Sequence, residues 1–291
     1  MRITSFLSVL LGISYFLTPS ASFASDYHSP RTAAIGGAGH AGPLLNDSIY
    51  LNPSFGSFMP AYSLSGNYLY YSSPRPPGQD YDEHHGHMAN VSVQDGRSEL
   101  FQAGVGFTQS DSARIVNIGA SKAFMQRYGV GIGAKLLLPF HDDRTLVKDG
   151  MASFSLIASD WAQIVGVVDN ILETKDGKPR GLYREYILGT KFNIQSMILL
   201  YFDPHIAPSV SEIGQPSFGH ESGVEFTLMS DLLLRGGIFR DAHVPFANVR
   251  GSGYGLGFGW LAPRISFDFG MSRISTPFIA TAYNMGMTVY F

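Results

Sequence analysis

The chain has 291 residues, a formal net charge of −3 and a pI near 6.3, so it shows no basic footprint for nucleic acid. It contains no Cys, which excludes disulfides, thiol catalysis and a lipid-modified N-terminal Cys. Charged residues are only 15%, below the roughly 25% usual in soluble domains, while the mean hydropathy is +0.06. Beyond the N-terminus no run approaches the ~18 apolar residues of a membrane helix. Apolar content without apolar runs is what alternating strands produce.

Residues 1–24 read as a secretory signal peptide. Arg2 is the positive end, 6–17 the apolar stretch, and Ser22-Phe23-Ala24 the small-x-small site, which predicts cleavage near Ala24. An uncleaved anchor helix is the alternative. Residues 25–59 then form a compact Gly- and Pro-containing segment, and residues 60–291 a β-rich domain.

The segment contains a literal G-x-G-x-x-G at Gly37, Gly39 and Gly42. That pattern binds dinucleotides only after a strand and before a helix. Pro30 upstream and Pro43 at once downstream leave no such context. The same stretch resembles the N-terminal plug of the FadL-type hydrophobic-compound channels and of their relative, the type IX secretion barrel PorV. Arg31, Gly36, Gly37, Ala38 and Gly39, then Asn46-Asp47-Ser48, then Asn52-Pro53 carry the resemblance. The family has Ala after Asn-Pro where this chain has Ser54, and its acidic or Ala-rich turn is replaced by His40-Ala41-Gly42-Pro43. Glycines let a backbone fold tightly in a narrow lumen, and Asn52 is expected to cap a turn fixed by Pro53.

Fourteen or so strands are expected after Pro60, a count allowed for outer-membrane barrels. Their spans are 60–71, 87–95, 101–109, 113–124, 127–138, 150–159, 161–169, 182–192, 196–203, 220–229, 231–240, 252–260, 263–272 and 281–291. Short and long connections alternate, as when tight turns face the periplasm and long loops face outward. The one exception is the tight connection near 109–112. Gly129, Gly131 and Gly133 share one strand face, and Gly255, Gly257 and Gly259 another; these faces are expected to line the lumen against the plug. Tyr62, Tyr68, Tyr70, Trp161, Trp260 and Tyr283 are girdle candidates. Inward charges are expected at Lys135, Glu185, Lys191, Glu225, Arg235 and Asp268, with Glu225 and Arg235 paired across a hairpin.

The final strand places Tyr283, Met285, Met287, Val289 and Phe291 on one face and Ala282, Asn284, Gly286, Thr288 and Tyr290 on the other. It resembles the aromatic-ended assembly signal of bacterial outer-membrane barrels; the alternative is the last strand of a soluble β-sandwich. The densest polar cluster, Asp80 to His87, falls in the first expected outer loop. His84, His85 and His87 are weak metal candidates there, a solvated loop being the plainer reading.

No G-x-S-x-G, H-E-x-x-H or Walker loop is present. The chain is read as an all-β transmembrane barrel with an N-terminal plug, with no enzymatic activity and no cofactor expected. The FadL resemblance implies uptake of hydrophobic small molecules such as fatty acids or aromatics. The ligand would pass plug residues Gly36, Gly37, Gly39, Asn46, Asn52 and Pro53 and leave sideways through the wall. The PorV resemblance implies instead a barrel that binds or shuttles protein partners. Outer-membrane lipid and the barrel-assembly machinery are the expected partners in either case.

Overall fold

The computed structural model describes residues 27–74, 84–98, 100–140, 145–210, 215–229, 231–247 and 249–291. The expected signal peptide and the 80–83 part of the polar cluster lie outside the described residues.

Period-two patterning yields fourteen antiparallel strands: β1 (Tyr62–Ser73), β2 (His84–Asp95), β3 (Gln102–Ser110), β4 (Ala113–Phe124), β5 (Tyr128–Pro139), β6 (Val147–Ser159), β7 (Ala162–Asp169), β8 (Glu185–Ile194), β9 (Ile198–Ala207), β10 (Ser217–Thr227), β11 (Leu232–His243), β12 (Arg250–Ala262), β13 (Ile265–Thr276) and β14 (Ala280–Tyr290). Each pairs with its neighbours in sequence, and β14 pairs with β1, so the sheet closes into a barrel and leaves no edge. At the seam the Phe291 amide donates to the Tyr62 carbonyl at 2.9 Å, and the two rings meet edge to face 5.6 Å apart. The alternation expected for β14 is present: Tyr283, Met285, Met287 and Phe291 are exposed, while Ala282 and Asn284 are buried.

The exterior is that of a transmembrane barrel. Leu64, Val105, Ile132, Phe154, Leu188, Leu256 and Met285 are among the large apolar side chains it exposes. Ser63, Asn90, Gln94, Asn117, Ser155 and Asp203 face inward and are buried. At the short-turn end Trp161 stacks on Phe192, and Trp260 stacks on Phe267 while donating to Asp231 at 3.1 Å. These rings form the aromatic girdle at that interface.

Two of the tight turns take positive φ at both central residues, Met125-Gln126 (51° and 57°) and Gln195-Ser196 (54° and 58°). Such turns match the right-handed twist of the flanking strands, although neither has the Asn-Gly that usually signals them. The turn between β3 and β4 is tight, as expected. A second connection expected to be long, between β13 and β14, is only Pro277 to Ile279, because both strands run further than their patterns suggest.

Three other extensions matter. β2 begins at His84, so His84, His85 and His87 stand on a strand and not in a loop. They are held there by pairing with Ser73, Ser72 and Tyr70, and the Tyr68 hydroxyl bonds His87. β6 begins at Val147. β9 runs to Ala207 and takes in Asp203, Pro204 and His205. Pro204 suggested a loop because it lacks an N–H. It is tolerated because the β8–β9 ladder skips there: Ile187 pairs with His205 and Thr190 with Phe202, while Leu188 and Gly189 keep only their β7 partners. The β10 side stays paired throughout.

Phe291→Asp should reduce the heat-modifiable, folded fraction in electrophoresis, because it places a charge where the barrel closes against Tyr62. An unchanged folded fraction would show that closure does not depend on this aromatic contact.

Candidate functional site

The lumen is filled by a plug built from two short helical pieces. Ser29 caps the first, α1 (Pro30–Ala34), its hydroxyl accepting the Thr32 amide at 3.2 Å, with Pro30 preset at the first turn. The chain then turns at Gly36, Gly37 and Gly39, whose φ values of 68°, 85° and 118° disfavour any residue with a Cβ. The second piece is α2 (Ser48–Leu51), followed by a 3₁₀ segment, Pro53–Phe58.

The wall accepts each piece through glycines. A Cβ at Gly255 or Gly237 would enter the backbone of α1 and Ile35; one at Gly257 would lie 2.6 Å from the Ala34 methyl. On the opposite wall a Cβ at Gly129 would lie 2.7 Å from the Ser54 carbonyl oxygen, and one at Gly131 would meet the backbone of Pro53 and Ser54. The glycine faces of β5 and β12 therefore line the lumen where the plug packs. Conversely, Gly42 of the plug leaves room for the Lys191 side chain of β8.

Charge fixes α1 in place. Arg31, 2% exposed, donates to both oxygens of Glu225 at 2.7 and 3.2 Å and to the Tyr201 hydroxyl at 2.8 Å. Arg235 donates to the same carboxylate at 2.6 Å and also bonds Asp268, in space left by Gly259. The expected Glu225–Arg235 pair is thus part of a larger network whose further cation comes from the plug. Asp47, beside it, accepts from the Ser29 hydroxyl at 2.9 Å; burial pushes its carboxyl up to about 6 against the opposing pull of Arg31.

The two asparagines of the motif are tethers. Asn46 donates to Ser92 at 3.0 Å and accepts from Ser63 at 2.6 Å, both on the wall. Asn52, fully buried, donates to the His40 carbonyl at 2.8 Å and to Ser155 at 3.0 Å. It makes no side-chain cap, contrary to expectation, because its Oδ1 accepts the Ser54 hydroxyl while its amide nitrogen joins the two halves of the plug to β6. Ser54, the departure from the resembled pattern, donates to Asn52 at 2.6 Å and shares a 2.6 Å contact with the Ser155 hydroxyl. Pro53 packs towards Gly133.

The turn that departs most from the resembled family meets the wall at β9. Asp203 accepts from the Gly39 amide at 2.7 Å, the His40 amide at 2.9 Å and His40 Nδ1 at 2.9 Å. Its other oxygen receives the Thr190 amide at 3.3 Å, partly repairing the skipped ladder. Burial works against the charged imidazole of His40, but the hydrogen bond and charge of Asp203 prevail and push it up to about 9.

Beside the plug lies a small cavity of about 50 Å³, bordered by His40, Lys135, Asp169, Glu185, His205 and Glu221. Lys135 pairs with Asp169 at 2.6 Å, and Arg250 with Glu185 at 2.8 Å. This is a polar chamber, although the resemblance implies passage of hydrophobic molecules. Asp203 and Glu221 stood at the ends of the expected strands 196–203 and 220–229 and were not among the expected inward charges, and His205 fell in the connection expected after 203. An apolar recess does exist, on the outer side of the wall, where Gly166 leaves a gap among Phe154, Tyr186, Leu188, Ile206 and Phe218. Ile187 and His205 border both chamber and recess, at the skipped pairs of β8 and β9.

No protein-family model matches the chain, and no curated protein matches it. Solved structures do. The CymD monoaromatic hydrocarbon channel aligns with a TM-score of 0.69 at 11% identity, covering 94% of this chain and 98% of its own. The Pseudomonas putida toluene transporter TodX aligns at 0.63 and 11%, covering 93% and 99%. A Pseudomonas aeruginosa FadL homologue aligns at 0.61 and 11%, also covering 93% and 99%. The chain has the FadL-type barrel fold over nearly its whole described length.

Arg31→Ala should lower the thermal midpoint of the detergent-solubilised barrel. Loss of one partner from a buried ion pair costs about 3–5 kcal/mol, and Arg235, which still neutralises Glu225, should hold the cost to the lower end. A midpoint equal to that of the wild type would show that this network does not stabilise the fold.

Proposed function

We propose, from the shared FadL-type fold, that this protein is an outer-membrane channel for the uptake of hydrophobic small molecules. The observation that carries the reading is the β8–β9 seam. There the ladder skips two positions around Pro204, and the wall between lumen and lipid is bordered on its outer side by an apolar recess. A hydrophobic solute displaced from the lumen at that point enters lipid without crossing the periplasm as a dissolved species. Passage requires no bond chemistry, only a plug that yields and a wall that parts at the interrupted β8–β9 pairing.

The polar chamber and closely packed plug favour a second reading, a PorV-like barrel that binds protein partners at the cell surface. Transport assays separate the two. Proteoliposomes containing the protein should take up toluene or oleate faster than protein-free vesicles, with saturation, and an Asn52→Ala, Pro53→Ala double variant should change that rate. Uptake no faster than through bare lipid, with neither solute bound to the purified barrel, would reject the channel reading and favour the second. Pro204→Val, which restores a backbone donor at the seam, should slow uptake while leaving the folded barrel intact. An unchanged rate would place the exit elsewhere in the wall.

A further inference from the structure

His40 of the plug faces two carboxylates of the wall. Asp203 and Glu221 are direct cross-strand partners in the β9–β10 register, and both point into the lumen. Like charges in that relation destabilise a sheet. The other arginines nearby are committed: Arg31 and Arg235 to Glu225, and Arg250 to Glu185 and Asp241. Glu221 is 7% exposed and makes no hydrogen bond among the described residues; its ion-pair contact is with His40 Nδ1 at 3.9 Å. A buried carboxylate gains from a positive partner held closer than the imidazole 3.9 Å away, and one metal ion bound by all three side chains supplies it.

We propose that His40, Asp203 and Glu221 form a binding site for a divalent transition-metal cation of the zinc class, joining the plug to the barrel wall. One donor atom from each lies within 4.8 Å of the others, with His40 Nδ1 2.9 Å from Asp203 and 3.9 Å from Glu221. A tetrahedral ion with bonds of about 2 Å separates its ligand atoms by about 3.3 Å, so shifts of about half an ångström suit His40 Nδ1 to each carboxylate, and the two carboxylates, within 4.8 Å of one another, close by at most about 1.5 Å. An imidazole with two carboxylates selects transition metals over Ca²⁺ and Mg²⁺, which prefer oxygen alone. The Gly39 and His40 amides hold the Asp203 carboxylate in orientation, as outer partners do in metal sites. The adjoining chamber, on the long-loop side near His243, supplies room for a water ligand and for entry of the ion. The inference is independent of the solute carried, since it concerns only how the plug is fastened.

The test is zinc binding to the full-length, detergent-solubilised barrel after chelation, by calorimetry with metal content measured by elemental analysis. One ion per wild-type chain is expected. Glu221→Gln, which breaks no hydrogen bond, should weaken binding by at least about tenfold, the size seen when even an outer partner of a metal ligand is lost. His40→Gln should weaken it further, and cobalt in the wild-type site should give the visible spectrum of a tetrahedral nitrogen–oxygen set. Replacing His84, His85 and His87 together should leave the ion bound. Absence of stoichiometric binding, binding unaffected by Glu221→Gln, or loss of binding only in the His84/His85/His87 variant would overturn the proposal. Should His40→Gln fail to fold, Glu221→Gln and the cobalt spectrum decide the matter alone.

Discussion

The structure depends on a charge that the plug carries into the barrel. Arg31 lies buried in the lumen, and its two hydrogen bonds to Glu225 are possible only while α1 stays seated against β11 to β14. Glu225 in turn neutralises Arg235, which reaches Asp268 across a glycine. Removing the plug would leave two wall carboxylates, Glu225 and Asp203, short of their plug partners. The glycines act with the charges, because they bring two backbones close enough for short hydrogen bonds to form. Plug and wall are therefore one folding unit and not a channel with a loose stopper.

Much of this was legible from residue order. The alternation along β14, the glycine faces of β5 and β12, and the Glu225–Arg235 pair all follow from a period of two, which the closed sheet imposes on every strand. The plug motif marked the right residues, Asn46 and Asn52, but not what they do. Their partners are wall serines whose sequence positions are set by barrel closure and not by local spacing. Asp203 illustrates the limit: it meets Gly39 across 164 positions. Its neighbour Pro204 argued locally for a loop, and tertiary pairing with β10 prevailed over that preference. The His84–His87 cluster failed in the opposite way, because β-pairing with β1 drew an apparent loop into a strand and turned His85 and His87 to the exterior.

The polarity of the barrel is also informative. Its apolar surface faces outward and its interior is a lattice of serines, asparagines and ion pairs, so a hydrophobic solute finds its favourable environment in the wall and beyond. An interrupted stretch of backbone pairing adjoins the apolar recess, and the same short stretch of β9 supplies Asp203 to the plug turn. Plug seating and wall integrity thus meet at residues 203–205, where Asp203 both holds the plug and patches the skipped ladder through Thr190. The two departures from the resembled plug, His40 and Ser54, are both used: one against the carboxylates of β9 and β10, the other against the serines of β6.

The most direct test of plug and barrel as a single unit is amide hydrogen exchange of the wild-type protein in detergent, followed by mass spectrometry of peptides covering residues 30–58. The account predicts protection of the Gly39 and His40 region comparable with that of strands β9 and β12, because those amides are buried and bonded to Asp203. Rapid exchange throughout 30–58 beside protected strands would contradict it, showing a plug that leaves its seat freely.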